Sequence, residues 1–519
     1  MLGLFSCQDK KETRSFDIVI RGGMVNTGDG EASFLADIGI NADTIAYIGT
    51  LDEPKATRLI DAQGLVVSPG FIDMHAHLDP IFEHPDAKSH VTQGVTTSLG
   101  APDGGGFWPF GSYLDSLSGQ GLGMNVSYLV GHNVIRREVM GMEAREPTKE
   151  ELRLMKSMVQ QAMEEGAFGI STGLKYLPGA FSNLEEVVEL SKTASQSKGI
   201  YTSHLREEGL GLIQGVEEAI EIGKQANIPV VLTHHKVIGK PMWGSSSKTL
   251  AMVDAARAQG IDVMADQYPY DASYTSISVL IPAWSRAGGQ SEFIKRTQDR
   301  VLRDSILKGI RFNILNDRGG GDIERIQLAR TPWDSTLSGL TLKDWALREN
   351  LDPNPDNGAA LVLRAQLSGG GSAIYHAMDE KDLQRIMKHP QTMIGSDGRL
   401  TAPGNSWPHP RWYGTFPRVL GRYVRELQVL DLPTALKKMT SQPADRLALE
   451  KRGRLKVGHF ADITVFDPET VTDKATYLEP HQYSEGIEYV LVNGTLTLDQ
   501  GTFNANRGGK ILRGPGYGK

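Results

Sequence analysis

The chain has 519 residues, a net charge of −7 and 39% hydrophobic residues. That length exceeds what one compact core covers, so a large domain with a smaller companion is expected. An acidic balance supplies no basic surplus to displace counterions from a phosphate backbone, which excludes nucleic acid as the main partner. No apolar run of about 18 residues is present that could cross a membrane as a helix.

Cys7 is the only cysteine, so no intrachain disulfide forms and no interior site has a thiolate to use. Its surroundings, Leu4-Phe5-Ser6-Cys7 followed by Gln8-Asp9-Lys10-Lys11, resemble a lipobox with a polar tether behind it. The apolar stretch in front is shorter than a full signal peptide. Two readings stay open: a lipid anchor on Cys7, which would make this a periplasmic or membrane-anchored lipoprotein, or a frayed N-terminal tail (residues 1–15) of a cytoplasmic protein.

Residues 16–68 read as short strands broken by Gly, Asn and Asp turns, and residues 446–519 repeat that pattern around Asn-Gly and Asp-Pro. Both ends are therefore expected to build one small β-sandwich domain. Between them, residues 69–445 alternate strand and helix patterns. Candidate strands are FIDMHAHL, GVTTSLG, NVSYLVGHNVI, FGISTGL, IYTSHL, PVVLTHH, DVMADQYPY and TMIGSDG. Helical segments lie between most of them, one of them ending at Asn227, a plausible C-cap. Such alternation predicts an α/β chain with a (β/α)8 TIM-type barrel. Residues 275–390 spend far more chain than one helix needs, and are expected to form an inserted lid subdomain over the barrel mouth.

The apolar run over residues 65–72 leads into His75-Ala76-His77. Side chains in a strand alternate faces, so both imidazoles would share one. Further polar residues fall at the ends of other strands: Asp103 after the second, His204 on the fifth, His234 and His235 on the sixth, Asp397 on the eighth. Any one of them is most simply a hydrogen-bonded core residue. Together they form a His/Asp set that different barrel strands would bring to one rim, which suits zinc in an open, catalytic site.

This pattern, HxH on the first strand, His on the fifth and sixth and Asp on the eighth, resembles the amidohydrolase superfamily. STGLKYLPGAFS, YTSHLREEG, LTHHKVIGKPMWG, DQYPYDAS, MIGSDG, HPRWYGTFPRVLGRYVRE and RGRLKVGHFADITVFDPETVTD resemble its D-aminoacylase (N-acyl-D-amino-acid deacylase) family over nearly the whole chain. The resemblance implies that His204 and His234 hold a tight zinc ion, that His75 and His77 flank a second, weaker metal position, and that Asp397 is the catalytic carboxylate. One departure stands out. The family carries a cysteine ligand in the loop after the second strand, where this chain has Asp103, a harder donor or else a plain Asp-Gly turn residue. Lys175, where some relatives use a carboxylated lysine, reads as a solvent-facing loop residue.

The resemblance also implies the reaction, hydrolysis of the amide of a small-molecule N-acyl-D-amino acid. Asp397 would take a proton from water and return it to the leaving nitrogen. Arg411, in His409-Pro410-Arg411, matches the family's carboxylate-binding arginine, whose fork suits that task. Lys236, Tyr176, Tyr268 and Tyr270 are further substrate-binding candidates, with rim packing as the alternative for the tyrosines. Arg206 and Glu207 could pair with each other. Two other functions stay open: a D-dipeptide or cyclic-amide (dihydroorotase-like) hydrolase, and a catalytically silent anchored binding protein.

Overall fold

The computed structural model describes residues 15–404 and 406–518. Cys7 and its lipobox-like surroundings lie outside them. The chain is mixed α/β. Among the described residues, no helix is long and apolar enough to cross a membrane.

Eight parallel strands carry the site: β1 (Phe71–Asp73), β2 (Val95–Gly100), β3 (Asn125–Tyr128), β4 (Gly169–Gly173), β5 (Ile200–His204), β6 (Val230–Leu232), β7 (Val263–Gln267) and β8 (Thr392–Ile394). Each pairs in parallel with the next, β3 reaching β4 through its continuation at Val130 and Gly131. Past β8, Gly398 and Arg399 pair in parallel with Ala76 and His77 just past β1. The Asp397 amide donates to the His75 carbonyl at 2.8 Å. The last strand therefore lies beside the first, and their polar ends meet.

The intervening helices have local reasons to start and stop. Helix α1 (Lys149–Glu164) opens with a capping box of Thr148 and Glu151. Asn183 caps α2 (Leu184–Gln196), its side chain accepting from the Glu186 amide. Helix α3 (Leu212–Ala226) stops at Asn227, which adopts φ +48°, the left-handed C-cap anticipated from sequence. Its Leu212, Val216, Ala219 and Ile222 are all buried, at the spacing of one helical face.

Both ends of the chain join one nine-stranded sheet. The seam is the antiparallel pair of Val66–Pro69 with Ile463–Phe466, over a core that includes Ile38, Ile45, Val67, Ile463 and Leu491. The apolar run read as one strand is thus two, in different sheets, with Gly70 between them. A Cβ there would lie 2.2 Å from the Thr96 side chain, so the close approach requires glycine.

Between β7 and β8 the chain forms a three-stranded antiparallel sheet from Ser273–Ser276, Ile326–Arg330 and Ser372–Tyr375. Helices α4 (Arg300–Asn316) and α5 (Pro355–Leu367) accompany it. Ile306, Ile310, Leu328, Trp345 and Val362 give this segment an apolar core of its own.

Candidate active site

The strand ends bring His75, His77, Asp103, His204, His234 and Asp397 together. Donor atoms of His75, His77, Asp103 and Asp397 all lie within 4.8 Å of one another, as do those of Asp103, His204 and His234. Asp103 belongs to both groups. Its Oδ1 lies 3.5 Å from His75 Nε2 and 3.4 Å from His234 Nε2, and its Oδ2 lies 3.7 Å from both His77 Nε2 and His204 Nδ1. One carboxylate sits between two half-sites.

Backbone conformation aims these groups. Asp103, His234 and Asp397 have φ of +57°, +37° and +46°. Such conformations cost about 1–3 kcal/mol each and persist where surrounding structure enforces them. The Gly104 amide, donating to Ser171 Oγ on β4 at 3.1 Å, ties the Asp103 loop down. The His234 amide donates to Asp266 Oδ1 at 2.6 Å. Asp73 accepts from Ser396 and thereby links β1 to the Asp397 turn.

The carboxylates are held ionised by their neighbours. Burial alone would push Asp103 up; His75 and His234 outweigh it and hold the carboxyl well below the usual range. Burial is outweighed at Asp397 as well, chiefly by Arg411, whose Nη2 lies 3.0 Å from Oδ2. Burial lowers His204 to about 4. His234 rises to about 10: burial and Lys236 push it down, but Asp103 and Glu208 more than compensate.

The donor set fits a divalent cation. His75 Nε2 and Asp103 Oδ1, which face each other at 3.5 Å within the cluster, are buried without a hydrogen-bond partner among the described residues. Each such group costs about 1–3 kcal/mol if left unsatisfied. Imidazole and carboxylate donors converging from different strands suit zinc with an open position.

Arg411 and Tyr176 take their places on the wall of a cavity of about 290 Å³ that also exposes His77, Asp103, Tyr274, Asp397, Arg399 and Trp412. Arg411 is 2% exposed, yet its Nη1 has no hydrogen-bond partner among the described residues. Tyr176 packs its ring 4.5 Å from His204 and shares a hydrogen bond with Thr275 Oγ1. Tyr268 lies behind this wall, under the Arg411 guanidinium at 4.5 Å.

The remaining candidates do not line this cavity. The Tyr270 hydroxyl donates to Asp473 at 3.2 Å and its ring meets Arg418, so it faces the C-terminal segment. Lys236 is buried, with its ammonium on Glu208 and 2.7 Å from His234 Nδ1. Arg206 pairs with Glu218 rather than Glu207, and Glu207 pairs with Lys175, which is mostly buried. Two residues escaped the sequence reading. Glu208 lies 3.4 Å from His204, 3.2 Å from His234 and 2.7 Å from Arg318, in addition to its Lys236 contact. Its position four residues past His204 was the available signal. Arg318 comes from the insertion, where nothing local pointed to it.

A model of the amidohydrolase family matches residues 58–267 and 341–497. A D-aminoacylase of Alcaligenes xylosoxydans xylosoxydans is 36% identical, with 97% of this chain and 99% of the relative covered. The chain belongs to the amidohydrolase family. Among solved structures, the N-acyl-D-glutamate deacylase of Bordetella bronchiseptica, complexed with zinc and a phosphonate inhibitor that mimics the tetrahedral intermediate, is similar at 35% identity and TM-score 0.83, covering 96% of this chain and all of that one. A D-aminoacylase structure described for its binuclear metal centre, with one-metal activation and second-metal attenuation, matches at 35% identity and TM-score 0.82 over the same share. A metal-dependent hydrolase is what this family and this donor set have in common.

Proposed function

We propose that the protein is a zinc-dependent hydrolase that cleaves the amide bond of N-acyl-D-amino acids to a carboxylic acid and a D-amino acid. The observation that carries this reading is Arg411: a buried guanidinium with a spare Nη1, on the same wall as His77 and Asp397. Such a fork suits a free α-carboxylate, which a linear N-acyl amino acid has and a neutral cyclic amide lacks. The preference for the D enantiomer follows the relatives.

In this reading His204, His234 and Asp103 hold the tight zinc ion, while His75, His77, Asp103 and Asp397 frame a second, weaker position. When bound, zinc supplies a strong Lewis acid, which polarises a carbonyl and makes water a competent nucleophile near neutral pH. Arg411 holds the substrate carboxylate and orients the acyl carbonyl toward the histidines. Asp397 takes the proton of the attacking water and delivers it to the departing nitrogen. A substrate carboxylate drawing on the Arg411 fork competes with Asp397 for it, which readies that carboxylate as a base. Lys236 and Glu208 position His234, and Tyr176 and Tyr268 shape the walls.

The ring of parallel strands is read as a (β/α)8 barrel over 69–445, the terminal sheet as a β-sandwich, and the insertion as a lid over the mouth. Closure of the β8 end onto the β1 end supports the barrel, and the separate apolar core of the insertion supports the lid.

The test is zinc analysis of the purified protein beside amine release from N-acetyl-D- and N-acetyl-L-amino acids. Bound zinc and release of D-amino acids are expected. No metal and no amine from any acylated substrate would favour the silent binding protein.

A further inference from the structure

A second cavity, of about 670 Å³, adjoins the catalytic one. The two share Tyr176 and Ser276 on their walls. The second lies between the segments after β4 and β5 and the insertion. Its apolar lining includes Leu177, Val279, Ile281 and Phe312.

Three cations line it, and two are already matched. Lys175 lies 2.7 Å from Glu207, and Arg206 lies 2.8 Å from Glu218. Arg286 differs. Its recorded hydrogen bond is from Nη1 to the Ser278 carbonyl at 3.3 Å, and no ion pair within 4 Å joins it to a carboxylate of the described residues. The guanidinium is partly buried, and that burial, with no opposing anion, pushes its pKa down. A partly desolvated cation without a carboxylate partner, on the wall of a chamber whose other cations are matched, is stabilised by an anionic ligand.

Orientation follows from the two ends of the catalytic cavity. Arg411 stands beside Asp397, at 3.0 Å, whereas Tyr176 stands against His204. A substrate with its α-carboxylate on Arg411 and its amide at the histidines directs its acyl group toward Tyr176, and past it into the second chamber.

We propose that this chamber is an acyl subsite for the distal part of an N-acyl group that is apolar along its length and ends in a carboxylate, which Arg286 binds. The proposal rests on the N-acyl-D-amino acid reading above. It makes a dicarboxylic acid the second product, and it disfavours a dipeptide, whose acyl half carries an ammonium.

The experiment compares kcat/KM for one D-amino acid carrying succinyl, glutaryl or adipoyl groups with the same amino acid carrying the neutral chains of equal length. Wild type, Arg286→Met and Arg286→Lys are assayed, with N-acetyl as reference. At least one carboxylate-ended acyl group should exceed its neutral counterpart by about tenfold or more, the scale of one charge-assisted hydrogen bond. Arg286→Met should erase that advantage and leave N-acetyl turnover within about twofold, while Arg286→Lys keeps part of it. Should Arg286→Met fail to fold, the wild-type series and the lysine variant decide. No advantage in the wild type, or one that survives in Arg286→Met, overturns the proposal. So does an Arg286-dependent preference that follows the amino-acid side chain, seen with N-acetyl-D-glutamate against N-acetyl-D-glutamine. If not even an N-acetyl-D-amino acid is cleaved, the reaction assignment itself falls and the subsite goes with it.

Discussion

The two halves of the donor cluster sit in opposite surroundings. His204 and His234 are 3% and 2% exposed, and both lie against Glu208, which Lys236 and Arg318 hold in turn. His77 and Asp397 line the cavity instead, and the His77 side chain is 31% exposed. Buried histidines fixed by a second layer of charge suit a group that must stay put, since outer partners orient a metal ligand and raise its basicity. A partly exposed histidine and a cavity-lining carboxylate held by Arg411 suit groups that must meet substrate. Asp103 is shared by both groups, and in the proposed reading it couples holding to turnover.

Changes in the buried half should cost the most. His234→Ala should abolish zinc binding and turnover together, read by elemental analysis and amine release; full zinc content in that variant would break the distinction between the halves. On the open side, Arg411→Lys keeps the charge but loses the fork, and kcat/KM should fall about tenfold to a hundredfold, mainly through KM. An unchanged KM would remove Arg411 from substrate binding. Asp103→Cys places at the shared position the cysteine that the family resemblance implies. A softer donor should strengthen zinc against manganese in competition, with turnover kept within about tenfold, as expected for a one-ligand exchange that leaves the histidines in place. Zinc affinity and zinc-over-manganese preference unchanged from wild type would show that Asp103 is not a ligand.

The smallest effect concerns the strand that carries Asp397. Lys438 donates to the carbonyls of His389 and Thr392 at the entry to β8, and burial lowers it to about 7 from 10.5. The folded state therefore binds fewer protons than the unfolded one between about pH 7 and 10.5. The resulting penalty is full below pH 7 and fades as pH rises. Wild type should gain stability relative to Lys438→Met from pH 7 to 9.5, by at most about 1.4 kcal/mol per pH unit. A pH-independent difference in denaturant midpoints would contradict this.

Residues whose roles are set by local periodicity were legible in the sequence. His75 and His77 converge on one cluster, as their spacing suggested, although His75 sits in a bend between two short strands, and Asn227 ends α3 because it tolerates a left-handed backbone. Partners chosen by tertiary distance were not. Arg206 had Glu207 beside it in sequence, but the fold offers it Glu218. Glu208 is an ordinary surface glutamate by composition until β6 and the insertion bring Lys236 and Arg318 to it. Tyr270 stands two residues after Tyr268, and alternation along an irregular segment did not reveal that its hydroxyl would meet Asp473.

The division of labour between the halves is tested most directly by Asp397→Asn, with zinc content and turnover of an N-acetyl-D-amino acid measured on one preparation. The account predicts zinc equal to wild type and turnover reduced about 10²- to 10⁴-fold, the scale of a lost general acid–base group. Turnover near the wild-type rate would contradict it, and so would zinc and activity disappearing together.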